Sequence, residues 1–259
     1  MYDRLVDPRL LREARPDAEM IDAGKGRGLR RMSQEEVNAL LVAKAQEGKR
    51  VVRLKGGDPF LFGRGGEEVE ALAGAGVPFE VVPGVTSALA APAYAGIPLT
   101  HRGLSSSVAI LTGSEDPAKG EGHVEWAALA RAETVVVLMG WEALPSILGA
   151  LRQAGRPPET PIALVQWGTE PHQKTVVGTL ADIRERAEGE GLAPPVVAVV
   201  GEVVRLRERL RWFERRPLFG KRVLVTRTRH QAWALSLLLA EEGAWPLELP
   251  VLEVVPLED

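Results

Sequence analysis

The chain has 259 residues, of which 45% are hydrophobic and 26% are charged, with a formal net charge of −3 and no cysteine. This length and composition predict a globular protein with one large or two modest domains. The charge argues against a general nucleic-acid binder, and the lack of cysteine excludes disulfides, thiolate metal sites and a cysteine nucleophile. No apolar run approaches the roughly 20 residues that span a bilayer, and residues 1–4 lack a signal-peptide pattern, so we expect a cytoplasmic protein that does not enter membranes.

The first fifty residues predict short elements followed by one clear helix. Residues 8–15 are typical of a short helix and residues 18–21 of a short strand before a glycine-rich loop. Ser33 and Glu36 have the spacing of a capping box. The apolar periodicity that follows predicts a helix up to Gly48.

Residues 50–88 contain two predicted strands that both end in small or polar residues. The β-branched run 51–54 predicts a buried strand that stops at the sequence GGDP, and a helix begins near residue 67. A second strand, 79–82, ends at Pro83-Gly84 and leads into TSA. Ligands bind at the carboxyl ends of strands in open α/β sheets, so these two loops are a candidate site, although a Gly-Gly turn alone more often only connects elements.

The second half predicts another α/β layer whose sheet is at least partly parallel. Strands are predicted at 107–112, 134–139, 161–168, 174–177 and 195–201, with helices at 124–131, 143–154 and 181–187. Residues 202–216 predict a terminal helix with a solvated charged face, which we favour over an RNA-binding helix. After Pro217, a strand at 221–226, a helix at 231–242 and an extended run at 247–255 predict a β-α-β unit.

Long strings within this chain resemble the tetrapyrrole methylase family. They are GGDPFLFGRGGEE and VVPGVTSALAAPAYAGIPLTHRG, and the resemblance extends from Asp3 to about Val204. YDRLV, GDPFLFGRGGEE and LTHRG are most similar to the branch of the family that methylates uroporphyrinogen III. The segment that begins RPLFGKRVLVTRTRHQAW resembles the start of a uroporphyrinogen-III synthase, an enzyme that some bacteria fuse behind the methylase.

The resemblance implies an α/β, two-domain tetrapyrrole methylase fold, with two α/β sheets and the active-site cleft between them. We expect an N-terminal methylase domain at 1–106, a C-terminal methylase domain at 107–214 and a partial synthase domain, a C-terminal β-α-β stub, at 215–259. The family also has a first strand and a glycine-rich, acid-terminated loop that are missing here. We therefore expect a chain truncated at its start, whether naturally or artificially, with weakened cofactor binding.

The resemblance implies S-adenosylmethionine-dependent C-methylation of uroporphyrinogen III to precorrin-2, in sirohaem and cobalamin biosynthesis. S-adenosylhomocysteine would be the second product, and the chain would form a homodimer. Two alternatives stay open, a precorrin methylase that acts at another carbon and a non-catalytic fragment that binds cofactor or tetrapyrrole weakly. A nucleotide-dependent oxidoreductase is disfavoured, because the glycine run 63–66 lacks the GxGxxG spacing.

The same resemblance implies roles for individual residues. Asp3 matches the proton acceptor of the family and Lys25 its proton donor, although a lone surface charge would be the ordinary interpretation of each. The implied cofactor-binding residues are Gly56, Gly57, Asp58, Leu61, Thr86, Ser87, Met139 and Gly168. Met139 and Gly168 would otherwise be interpreted as a core residue and a strand terminator.

Cationic residues are expected around the substrate, because the tetrapyrrole used by this family carries eight carboxylates. The candidates are Arg27, Arg30, Arg31, Arg64 and Arg102. Solvated loop arginines are the competing interpretation for each of them. No metal is expected, since the four histidines show no HxxH-type spacing.

Overall fold

The computed structural model describes residues 1–24, 32–114 and 126–252. The chain divides into two compact units, Met1–Thr86 and Ser87–Asp259. Within the described ranges, no helix is long and apolar enough to cross a membrane.

The first unit contains helices α1 (Pro8–Leu11), α2 (Gln34–Gln46) and α3 (Gly65–Gly74). The predicted capping box is confirmed at the start of α2: Ser33 Oγ accepts from the Glu36 N–H at 3.2 Å, and Glu36 Oε2 accepts from the Ser33 N–H at 2.7 Å. The buried side chains of α2 pack against Ala23 to form a small core.

The predicted strands of the first unit do not form, and its described residues contain only isolated bridges. Tyr2 forms parallel bridges with Asp22 on one side and Leu54 on the other. The predictions of strands at 18–21, 51–54 and 79–82 were therefore wrong for the described structure. A strand needs a partner that continues its hydrogen-bond ladder, and here Tyr2 supplies one residue of pairing to each neighbour. Val52 is 66% exposed, so the segment is not the buried strand that its β-branched residues predict.

The second unit is built on a mixed five-stranded sheet with the order β1-β2-β5-β3-β4. The strands are β1 (Val108–Thr112), β2 (Thr134–Leu138), β3 (Pro161–Gln166), β4 (Lys174–Thr179) and β5 (Val196–Val200). β1 and β2 are parallel, as predicted for part of the sheet, and β5 runs antiparallel to both β2 and β3. Because β1, β2 and β3 share one direction, their carboxyl ends lie at the same edge of the sheet.

Both faces of this sheet are covered. The helices are α4 (Ser87–Tyr94), α5 (Trp126–Leu129), α6 (Leu144–Gln153) and α7 (Ile183–Gly189). Alternate residues of a strand point to opposite faces, so Val135 packs with Leu151 of α6 in one cluster and Val136 packs with Ala91 of α4 in the other. All five residues of β2 are buried, which fits its continuous apolar sequence.

The single helix predicted for 202–216 was wrong. The segment instead forms a 3₁₀ helix (Glu202–Leu206), α8 (Arg207–Leu210) and a second 3₁₀ turn (Phe213–Arg215). Arg207 is buried, donates to the Ala95 carbonyl at 2.6 Å and pairs with Glu214 at 2.5 Å. These contacts replace the solvated face of a continuous helix with a buried ion pair.

The predicted C-terminal β-α-β unit is confirmed as β6 (Arg222–Val225), α9 (Arg229–Glu241) and β7 (Trp245–Glu248), with β6 and β7 parallel. Several of its large apolar side chains are exposed, among them Leu224, Trp233 and Leu238. One β-α-β unit has too few elements to bury both faces of its sheet.

Candidate functional site

The carboxylate of Asp58 joins the two predicted ligand loops of the first unit. Its Oδ2 accepts from the backbone N–H of Gly84 at 3.0 Å, and its Oδ1 accepts from the N–H of Phe60 at 2.9 Å. The hydrogen bond from Gly84, followed by that from Phe60, holds the pKa of Asp58 below its ordinary value of 3.8. The GGDP loop and the PGV loop are thus held together through an ionised side chain.

Glycine is required where these loops meet. A Cβ on Gly84 would lie 2.2 Å from the carbonyl oxygen of Gly57, and Gly57 itself has φ +75°. Gly56, Gly57 and Gly84 are exposed, and because glycine has no side chain, a ligand can approach their backbone closely. Leu61 follows as a half-buried residue. This arrangement gives a ligand backbone polar groups together with an apolar neighbour.

Asp3 lies beside this loop, held by backbone and side-chain contacts. Its N–H donates to the Leu54 carbonyl at 3.2 Å, and its Oδ1 lies 2.5 Å from Arg53 Nη2. Lys55, which directly precedes Gly56, lies 3.7 Å from Asp3 Oδ2. The structure thus brings the candidate proton acceptor next to the GGDP loop.

Sequence reasoning missed three charged residues of this region, Arg53, Lys55 and Glu68. Glu68 is 4% exposed and accepts hydrogen bonds from both Lys55 and Arg53. A signal was present, because two cations at alternate positions of a segment predicted as buried require carboxylate partners.

Two predicted residues of the second unit, Met139 and Gly168, lie at the edge where β2 and β3 end. Met139 follows β2 with φ 52°, and Trp167 and Thr169, which flank Gly168, follow β3 with φ 48° and 77°. Non-glycine residues rarely adopt this conformation, and such backbone strain clusters at functional sites. Two turns at this edge are therefore held in conformations that cost free energy.

Gly168 packs directly against the helix that Ser87 begins. A Cβ on Gly168 would lie 2.4 Å from Ala91 Cβ of α4. Ser87 is exposed, whereas Thr86, the last residue of the first unit, is buried. The structure thus brings α4 and the Gly168 turn together in the second unit.

Gln173 braces the strained turn around Gly168. Its Oε1 accepts from the Thr169 N–H and its Nε2 donates to Glu214 Oε1, both at 2.9 Å. The His172 ring stacks on the ring of Trp245 of β7, with centroids 4.9 Å apart and planes at 20°. The centroid of the Trp167 ring lies 5.2 Å from that of His172. The C-terminal β-α-β unit therefore touches the turn that carries a candidate cofactor residue.

The remaining predicted residues are less informative. Arg64 is in the left-handed region with φ 57° and pairs with Glu67 at 2.5 Å, and Arg102 is exposed. Lys25, Arg27, Arg30 and Arg31 lie outside the described residues. Among the described residues, no three of His, Cys, Asp and Glu converge as metal ligands would.

The comparisons of this chain with known proteins indicate the same family. The model of the Tetrapyrrole (Corrin/Porphyrin) Methylases matches residues 1–184. Siroheme synthase of Azotobacter vinelandii is 52% identical over 217 residues, which are 83% of this chain and 46% of that protein. Uroporphyrinogen-III C-methyltransferase of Synechocystis is 50% identical over 212 residues, covering 82% and 81% of the two chains. Porphyrin biosynthesis protein HemD of Ruminiclostridium josui is 43% identical over 258 residues, covering 99% and 51%.

Solved structures agree with this family. Uroporphyrin-III C-methyl transferase from Thermus thermophilus, complexed with S-adenyl homocysteine, is 42% identical with a TM-score of 0.67, covering 80% of this chain and 86% of that one. A cobalt precorrin-4 methyltransferase has the same TM-score at 29% identity, covering 78% and 83%. The chain spans about half the length of several curated relatives that it matches.

Proposed function

This chain belongs to the tetrapyrrole methylase family, and on that premise we propose that it catalyses S-adenosylmethionine-dependent C-methylation of uroporphyrinogen III to precorrin-2. The observation that carries the proposal is the junction of Asp58 with Gly84, which holds two glycine-containing loops together beside Asp3. S-adenosylmethionine supplies an electrophilic methyl group, so the protein's task is mainly to position donor and acceptor.

The residues at this junction fit such a cofactor. Gly57 and Gly84 leave backbone polar groups open to a ligand, and Leu61 supplies an apolar surface. The remaining lone pairs of the Asp58 carboxylate can accept from a donor group of the ligand. Ser87, Met139 and Gly168 of the second unit are also proposed as cofactor residues, and so is Thr86, the buried last residue of the first unit.

Proton handling falls to Asp3 and Lys25 in this proposal. Asp3 accepts the proton that the macrocycle loses after methylation, and its partial exposure, 31% of the side chain, supports that role. Lys25 acts as proton donor. The exposed guanidinium groups of Arg64 and Arg102 are proposed to meet substrate carboxylates, together with Arg27, Arg30 and Arg31.

We extend the proposal to organisation. The proposal includes a division into three parts at residues 106 and 214, a homodimer and a cytoplasmic location. It also includes a partial synthase domain from residue 215. The last is supported by the Ruminiclostridium relative, since its similarity covers 99% of this chain and thus reaches the C-terminal β-α-β unit.

The test has two stages. The first is calorimetric titration of S-adenosylhomocysteine, where micromolar binding is expected. The second is anaerobic turnover with uroporphyrinogen III, with the methylated product identified by mass. Lys25→Ala should slow turnover more than it weakens cofactor binding. Absence of binding would overturn the proposal, and binding without methylation would leave a cofactor-binding protein that is not this enzyme.

A further inference from the structure

Four charged side chains of the first unit form one network around Asp3. Arg53 contacts Asp3 Oδ1 through Nη2 at 2.5 Å and Glu68 Oε1 through Nε at 3.2 Å. Lys55 Nζ lies 2.8 Å from the same Glu68 oxygen but 3.7 Å from Asp3 Oδ2. The two cations stand between the two carboxylates, and the four formal charges cancel.

The members of this network differ in burial. The side chains of Glu68 and Lys55 are 5% and 7% exposed and that of Arg53 is 13% exposed, whereas that of Asp3 is 31% exposed. Asp3 is therefore the member of the network that is most accessible to a ligand. Buried charges are tolerated only when they are paired, so Glu68 dictates where the two cations lie.

Glu68 is well placed to hold the network, because it belongs to the first turns of α3. Its N–H donates to the Arg64 carbonyl at 3.3 Å, and the N–H of Gly65 donates to the Pro59 carbonyl at 3.0 Å. The bond from Gly65 to Pro59 ties the start of α3 to the loop that carries Asp58. The position of the Glu68 carboxylate is thus fixed relative to the candidate cofactor loop.

We propose that Glu68 is a positioning residue: it holds Lys55 away from Asp3, so that one oxygen of Asp3 stays available for the substrate proton. The inference rests on the function proposed above, because Asp3 has a proton to accept only in that reaction. Without the Glu68 charge, Asp3 is the nearest carboxylate left to Lys55. Closing the 3.7 Å separation to hydrogen-bond distance would leave both oxygens of Asp3 hydrogen-bonded to cations.

The decisive variants change charge at nearly constant shape. Glu68→Gln should lower kcat roughly 10- to 100-fold, because Lys55 then occupies the oxygen of Asp3 that accepts the proton, with the Kd for S-adenosylhomocysteine held within about twofold. Adding Lys55→Met removes the unbalanced cation and should restore most of the lost kcat. A purely structural role for Glu68 would instead make the double variant worse. Glu70→Gln, at an exposed position of the same helix, is the matched control and should behave like the parent.

A second readout does not depend on turnover. The carboxyl ¹³C shift of Asp3, measured by NMR, should move in Glu68→Gln and return in the double variant. If the parent binds S-adenosylhomocysteine but does not methylate, the proposed function fails, and this shift then decides only whether Glu68 keeps Lys55 from pairing closely with Asp3. An unmoved shift or unchanged kcat in Glu68→Gln, or no recovery in the double variant, would overturn the inference.

Discussion

The Oδ2 atom of Asp58 accepts a hydrogen bond at 3.0 Å from the backbone N–H of Gly84, 26 residues further along the chain. Both residues lie in loops that are exposed, so burial does not hold the loops together. The junction depends on one charged acceptor and on the absence of a side chain at Gly84. Each of these two requirements can be tested separately.

Removing the acceptor should weaken cofactor binding. Asp58→Ala leaves the N–H groups of Gly84 and Phe60 without their protein acceptor, and we expect a roughly tenfold higher Kd for S-adenosylhomocysteine. Asp58→Asn keeps one carbonyl oxygen and should have a smaller effect. Calorimetry on the three proteins checks the order, and equal affinities would refute the role of this carboxylate.

The same junction should open in acid. The folded pKa of Asp58 is depressed, so its stabilising contribution is present above the ordinary pKa of 3.8 and is lost as pH falls through the lower folded value. The amide proton chemical shift of Gly84 should therefore change at pH values below 3.8. NMR spectra recorded from about pH 6 to about pH 2 measure this change. Asp58→Asn should show no such transition, and a parent midpoint above 3.8 would contradict the assigned cause.

The glycine requirement predicts a sharp effect of one methyl group. In Gly84→Ala the new Cβ would lie 2.2 Å from the Gly57 carbonyl oxygen, so one loop must move. A displacement of about 1 Å in a binding loop should weaken S-adenosylhomocysteine binding roughly 100-fold. Gly66→Ala is the control, because nothing lies within 4 Å of its Cβ position. Parent-like affinity of Gly84→Ala would show that the loops separate without consequence.

The C-terminal β-α-β unit should stabilise the turn at Gly168. Trp245→Ala removes the ring on which His172 stacks and should lower the local opening free energy of residues 167–173 by about 1 kcal/mol. Amide hydrogen exchange of these residues measures the change. Trp233→Ala, at a 55% exposed position of α9, should leave their exchange unaltered. Equal exchange in the two variants would mean that the stack does not brace the turn.

The first unit shows where local patterns fail. The capping box of Ser33 and Glu36 was predictable because both partners lie within one helical turn. The strand prediction at 51–54 was wrong, because a strand forms only where neighbouring segments continue its hydrogen-bond ladder. Within 51–54, only Leu54 has a bridge partner among the described residues.

The sequence alone was sufficient to predict the five strands of the second unit's large sheet, the C-terminal β-α-β unit and the glycine-rich loops of the candidate site. These elements depend on the spacing of apolar residues along the chain and on glycines, which adopt backbone conformations that other residues avoid. Both are local properties of the sequence. The contacts of Arg53 with Asp3, 50 residues away, and of Lys55 with Glu68, 13 residues away, became evident from the folded chain alone. Such pairs form where separate segments cross, because buried charges must find partners wherever the fold places them.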